Sequence, residues 1–217
     1  MPARNSVKEF VEGGYYHVYN RGVNKNDIFL DHKDYYNFLW LVREYLLPDH
    51  PNPKRPRRIR HGVGKEVRIL CYCLMPNHFH FLIKQISLDG VTKLLRRICT
   101  DYVTYFNHRH NRSGTLFQGT YKAASVESDE YLMQVSSYIH RNPLDIGRKI
   151  DEYEYSSFQN YLGKRNNSLL DTDEILSLFK TNKPNDTPQN NYENFVNFAE
   201  LSNNEKFRTM TIDSDQG

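Results

Sequence analysis

The stretch Val67-Arg-Ile-Leu-Cys-Tyr-Cys-Leu-Met-Pro-Asn-His-Phe-His-Phe-Leu-Ile-Lys84 decides how the rest of the chain is read. Its two runs are rich in aromatic and β-branched residues, and Met75-Pro-Asn77 between them has turn chemistry. The pattern predicts two strands, Val67–Leu74 and His78–Lys84, joined as a hairpin. Side chains alternate across a strand, so His78 and His80 face one way while Phe79 and Phe81 face the other. The two imidazoles can therefore converge on one ion. By itself a His-x-His pair is a weak signal, since two histidines on one strand face serve equally well as structural hydrogen-bonding groups.

Outward from the hairpin, Tyr15-Tyr-His-Val-Tyr-Asn20 predicts a strand that Asn20-Arg-Gly22 closes with a turn. Tyr35, Phe38, Leu39, Val42, Tyr45 and Leu46 recur at helical spacing, giving an amphipathic helix over residues 31–47 that stops at Pro48. Residues 48–64, rich in Pro, Gly and Arg, read as an exposed basic loop. Val91, Leu94, Leu95, Ile98, Tyr102, Tyr105 and Phe106 mark a second long helix, and a short strand is expected at 120–126. Ser128 is a candidate N-cap for a third helix, with Asp129 and Glu130 suiting the positive end of its dipole and Pro143 ending it.

The order strand, helix, strand, strand, helix, strand predicts an α+β fold: a ferredoxin-like split β-α-β antiparallel sheet, with the helix at 128–142 added to it. Residues 1–145 would form this unit. Short helical pieces at 153–162 and 171–179 would make a helical and irregular extension, over 146–180, packed on that unit. The polar, Asn-rich residues 181–217 are expected to be a mobile tail.

Charge is distributed unevenly. Residues 51–125 hold 14 Lys and Arg against 3 Asp and Glu, although the whole chain of 217 residues nets only +3. A basic middle points to a polyanionic partner. The N-terminus has no apolar signal core, and no run approaches the ~20 apolar residues that span a bilayer, so neither secretion nor a membrane is expected. Cys71, Cys73 and Cys99 are an odd count without zinc or redox spacing, which fits small buried thiols in a reducing cytoplasm.

On the third helix, Tyr138 and Asn142 lie four residues apart and share a face, while Leu132 and Ile139 can anchor the helix to a sheet. A tyrosine beside a bound divalent cation is a recognised arrangement for covalent catalysis. Taken singly, one of 16 tyrosines is more often a packing residue, and Asn142 before Pro143 could equally cap the helix.

Leu74-Met-Pro-Asn-His-Phe-His-Phe-Leu82 and Tyr138-Ile-His-Arg-Asn-Pro143, in that order, resemble the paired motifs of the REP-associated tyrosine transposases. These belong to the wider single-tyrosine, His-hydrophobic-His transposases. Supporting stretches are Tyr16-His-Val-Tyr-Asn-Arg-Gly22, Gly114-Thr-Leu-Phe-Gln-Gly-Thr-Tyr-Lys-Ala123 and Tyr155-Ser-Ser-Phe-Gln-Asn-Tyr-Leu-Gly163, with Phe117 where the family often has Trp. The resemblance implies His78, His80 and Asn142 as ligands of Mg²⁺ or Mn²⁺ and Tyr138 as nucleophile. It implies metal-dependent cleavage and rejoining of single-stranded, hairpin-associated DNA through a 5′-phosphotyrosine, in the bacterial cytoplasm at the nucleoid, by a monomer or a homodimer. Arg21, Arg55, Arg57, Arg58, Arg96, Arg97, Arg109, Arg112 and Lys122 are the candidate DNA contacts. The competing reading is a non-catalytic hairpin-binding module of the same fold, against which stands the presence of all four active-site residues.

Overall fold

Strand β1 (Tyr15–Arg21) and strand β3 (His78–Gln85) are buried along nearly their whole length, because both sit in the middle of a sheet covered on two faces. The computed structural model describes residues 9–47, 62–183 and 186–198. Four strands run in the order β2-β3-β1-β4, with β2 at Val67–Met75 and β4 at Lys122–Val126, and every neighbouring pair is antiparallel. Helix α1 (His32–Leu46) connects β1 to β2, and helix α2 (Gly90–Arg109) connects β3 to β4. Each connection skips one strand, the split ferredoxin-like arrangement that the element order predicts.

The register sorts the side chains. Phe79, Phe81, Ile83, Val18 and Leu74 pack with Phe38, Leu41, Leu95, Ile98 and Tyr102 of α1 and α2 in one core. Leu82, Cys71, Cys73, Met75 and Ala124 join a second core on the opposite face, with Leu132, Val135 and Ile139 of helix α3 (Asp129–Arg141). Tyr19 pairs with His80 and Arg21 with His78, so the two motif histidines lie on the face that α3 covers. The expected Ser128 cap forms, its Oγ accepting from the Tyr131 amide, and the Asp31 carboxylate caps α1 by accepting from the Lys33 and Asp34 amides.

The extension departs from the helical reading of 153–162. Only Phe158–Tyr161 is helical (α4). The residues just before it dock on β2 through an isolated antiparallel bridge between Cys73 and Ser156: the Leu74 amide donates to the Tyr155 carbonyl at 3.0 Å, and the Ser157 amide to the Tyr72 carbonyl at 3.0 Å. Farther along, the Asp171 amide donates to the Ile69 carbonyl at 2.9 Å. Strand β2 is an edge, and its outward N–H and C=O groups need partners that a helix cannot give. A short helix α5 (Asp173–Leu176) then tightens into a 3₁₀ turn through Phe179.

The expected tail also needs correction. Residues Pro188–Phe198 form helix α6, with Tyr192 and Val196 fully buried. The polar composition of this segment hides an apolar stripe, Tyr192, Phe195 and Val196, at spacings of three and four. Helix α6 packs on α3, where Arg141 Nη1 donates to the Val196 carbonyl at 2.6 Å. Residues 199–217, and the loop over 48–61 that holds Arg55, Arg57 and Arg58, lie outside the described residues.

His140, between Tyr138 and Asn142 in sequence, ties these layers together. Its Nδ1 meets the Tyr192 hydroxyl at 2.7 Å and its Nε2 meets Ser157 Oγ at 2.7 Å, in a site closed to solvent. Burial pushes its pKa down from 6.5 to about 3. The unfolded chain thus takes up a proton below 6.5 that the folded chain refuses until about 3, so acid favours unfolding across that window. Urea midpoints should fall as pH drops from about 6 to 4. In His140→Gln that dependence should be shallower by one proton, or ~1.4 kcal/mol per pH unit.

Candidate active site

Three polar side chains are aimed into the space between β3 and α3, each by a hydrogen bond on its far side. His78 Nδ1 lies 2.6 Å from Asn77 Oδ1. The Asn77 amide nitrogen is committed elsewhere, donating to the Lys25 carbonyl at 3.2 Å, so Oδ1 must be the atom facing His78 and Nδ1 must carry the proton. His78 Nε2, with its lone pair, then points at Asn142 Oδ1, 3.1 Å away. Asn142 is oriented by the same logic, because its Nδ2 donates to the Tyr138 carbonyl at 2.9 Å. The cap and ligand readings of Asn142 are thereby compatible: the nitrogen caps the end of α3 and the oxygen looks at His78.

His80 is fully buried. Its Nδ1 lies 2.8 Å from His17 Nε2, while its Nε2 has no hydrogen-bond partner. Burial, reinforced by the neighbouring His78 and His17 rings, holds His80 well below the ordinary histidine range, so it is neutral. The His78 and His80 ring centroids are 4.8 Å apart, which places both imidazoles on one side of β3. The Tyr138 ring, 9 % exposed, stands edge-on to His80 at 5.5 Å and to His17 at 5.8 Å. Tyr138 therefore lies against the histidines of its own chain.

These atoms suit a divalent cation. Two acceptors 3.1 Å apart, His78 Nε2 and Asn142 Oδ1, repel unless a proton or a cation lies between them. Ligands set at a right angle around Mg²⁺, each at about 2.1 Å, are about 3 Å apart. The unpartnered Nε2 of His80 supplies a further lone pair. Among the described residues no group of three or more His, Cys, Asp and Glu side chains could hold a metal; a cation here would have two imidazoles and an amide oxygen as its side-chain donors. Such a set leaves several positions on an octahedral ion for water or phosphate oxygens.

The candidate DNA contacts divide. Arg21 pairs in register with His78 and Lys122 with Tyr19, which puts both at the rim of this site. Arg21 Nε also donates to Gln118 Oε1 at 2.5 Å. Arg96 and Arg97 are on α2, across the sheet, where the Arg97 guanidinium stands 5.8 Å from the Tyr45 ring. Arg112 follows α2 and lies 5.5 Å from the Phe106 ring. Arg109 is committed to folding: it bridges Asp31 at 2.6 Å and the fully buried Asp34 at 2.5 Å, fastening α2 to α1. The residues that sequence reasoning missed are His17, Tyr19 and Asn77. The odd-numbered positions of β1 gave a signal, since Tyr15, His17, Tyr19 and Arg21 alternate with period two, but only the β1–β3 register shows that they face His80.

The chain thus presents a split ferredoxin-like sheet with a His-x-His strand under a tyrosine-bearing helix. The family described as IS200-like transposase matches residues 35–142, a span that contains His78, His80, Tyr138 and Asn142. The chain belongs to this family and is a transposase, a class of DNA-cleaving enzyme. Among solved structures it is similar to a REP-associated tyrosine transposase bound to a REP hairpin. That likeness has 14% identity and a TM-score of 0.54, over 76% of this chain and 95% of the other. A Deinococcus radiodurans R1 protein classed as a transposase is less similar, with 15% identity and a TM-score of 0.39 over 63% of this chain and 95% of the other. No curated protein matches the sequence. Among the described residues no helix is long and apolar enough to cross a membrane.

Arg109 gives a test of which basic residues serve the fold. Arg109→Met leaves the buried Asp34 carboxylate without its guanidinium and should cost about 3 kcal/mol of stability. The salt dependence of DNA binding by the still-folded protein should not change, which equilibrium unfolding and a salt titration would measure.

Proposed function

We propose that this transposase cleaves and rejoins single-stranded, hairpin-associated DNA through a phosphodiester bond to Tyr138. The observation that carries the reading is the convergence of lone pairs from His78, His80 and Asn142 beside the Tyr138 ring. Those three side chains would hold Mg²⁺ or Mn²⁺, which when bound would polarise the scissile phosphate and offset the charge that develops on its oxygens.

The chain's own groups do the rest. Packing of α3 through Leu132, Val135 and Ile139 fixes the helix that carries Tyr138, so the phenol is held without the entropic cost of searching for its target. Arg21 and Lys122 rim the same face and would track the phosphates on either side of the cleaved one. The Tyr138 oxygen attacks phosphorus in line and gives up its proton to solvent. The bond to the 3′-oxygen breaks, and that oxygen takes a proton to leave a free 3′-hydroxyl. The 5′-phosphate remains on the tyrosine, so the phosphodiester energy is conserved and a later 3′-hydroxyl can reverse the step without ATP. The reading takes a single chain as the unit of chemistry, because the tyrosine sits against its own histidines.

Hairpin-associated DNA is favoured by the motifs shared with the REP-associated branch and by the hairpin carried by the structural relative. An end-labelled hairpin with a single-stranded flank, incubated with Mn²⁺ and run on a denaturing gel, should yield a covalent protein–DNA adduct. Chelation should abolish it, and Tyr138→Phe should reduce it on the order of a thousandfold or more. An undiminished adduct in Tyr138→Phe would refute the assignment of the nucleophile.

A further inference from the structure

His17 is fully buried on β1, one strand over from His80, and its ring stacks against that imidazole at 5.0 Å with only 22° between planes. A buried histidine with an apolar alternative available has to be explained by the atoms it meets. The atom it meets is His80 Nδ1, 2.8 Å from His17 Nε2. One of these two nitrogens donates and the other accepts. The choice matters because it fixes what the other nitrogen of His80 carries. If His17 donated, the His80 proton would sit on Nε2 and occupy the lone pair that a cation would need. If His80 Nδ1 donates, Nε2 keeps its lone pair and faces the space shared by His78, Asn142 and Tyr138.

We infer that His17 is a positioning residue that accepts the Nδ1 proton of His80, so locking His80 in the tautomer whose Nε2 can bind a cation. The inference rests on the metal-dependent reading given above and adds to it the group that sets the ligand's protonation. His17 does for His80 what Asn77 does for His78 and the Tyr138 carbonyl does for Asn142. Each of the three acceptor atoms is thus aimed by a partner behind it, and outer partners of this kind tune ligand basicity as well as direction. His17 touches neither DNA nor cation; its effect passes through His80. The nearby Tyr138 ring, edge-on to both imidazoles, adds a packing contact that a merely apolar residue at position 17 would also supply.

The test uses the full chain with His17→Leu, which keeps bulk and removes the acceptor, and His17→Gln, which restores one through its amide oxygen. Nitrogen NMR of the metal-free protein reads the His80 tautomer directly and does not depend on catalysis. Wild type should show the proton on Nδ1; a proton on Nε2 would overturn the inference even if neither variant folds. Mn²⁺ affinity, followed by the electron-spin resonance of the free ion, should fall about 10–100-fold in His17→Leu, with His17→Gln recovering most of it. Equal affinity in wild type and folded His17→Leu would overturn the inference, as would a His17→Gln no better than His17→Leu. His80→Ala separates the two readings: if it binds Mn²⁺ as wild type does, the metal site itself is misassigned, whatever tautomer is seen.

Discussion

The two-residue alternation of β3 is the constraint from which the rest follows. Phe79 and Phe81 go into the core beneath α1 and α2, and His78 and His80 are forced to the face beneath α3. A slip of one residue would bury imidazoles in the core beneath α1 and α2 and force the phenylalanine rings into the space beneath α3, so the apolar core holds the polar site in place. The site is paid for by this packing, since neutral His80 and the facing acceptors His78 Nε2 and Asn142 Oδ1 would not be stable arrangements on their own. The central position of β3, with β1 and β2 on either side, gives the register its rigidity.

The second requirement is that α3 stay put. Its apolar face meets the sheet through Leu132, Val135 and Ile139, but the helix is also held from the far side. His140 is pinned between Tyr192 and Ser157, and Ser157 in turn accepts from the Tyr72 amide at 2.8 Å. A single buried imidazole thereby links the helix carrying Tyr138 and Asn142 to α6 and to the edge strand. The segment after α3 has a double role. It satisfies the open edge of β2 through residues 155–157 and 171, and it supplies the surface against which α6 closes. Buried networks of this kind are effective only when every member is satisfied, and this one is.

Several features were legible before any coordinates. Period-two alternation placed the histidines on one face, period-3.6 spacing gave α1 and α2, and the Ser128 cap with Pro143 bounded α3. The docking of residues 155–157 on β2 was not legible, since only the unpaired neighbouring edge captures this Tyr- and Ser-rich stretch. Helix α6 was hidden by its asparagines, whose polarity masked three apolar residues at helical spacing. Arg109 looked like any other member of the basic patch because ion pairing with Asp31 and Asp34 joins residues 75 or more positions apart.

The sequence by itself determined the order of elements, the face on which His78 and His80 lie, and the pairing of Tyr138 with Asn142 on one helical turn. These are local matters, set by backbone periods that operate over a few residues. Tertiary structure alone decided that His17 backs His80, that Asn77 and Asn142 present their oxygens to His78, and that Tyr138 meets the histidines of its own chain. Each of those contacts joins segments that no local period connects or turns on which end of an amide is already engaged. Strand register and the hydrogen-bond partners it brings together settle such questions, and neither exists until the chain has folded.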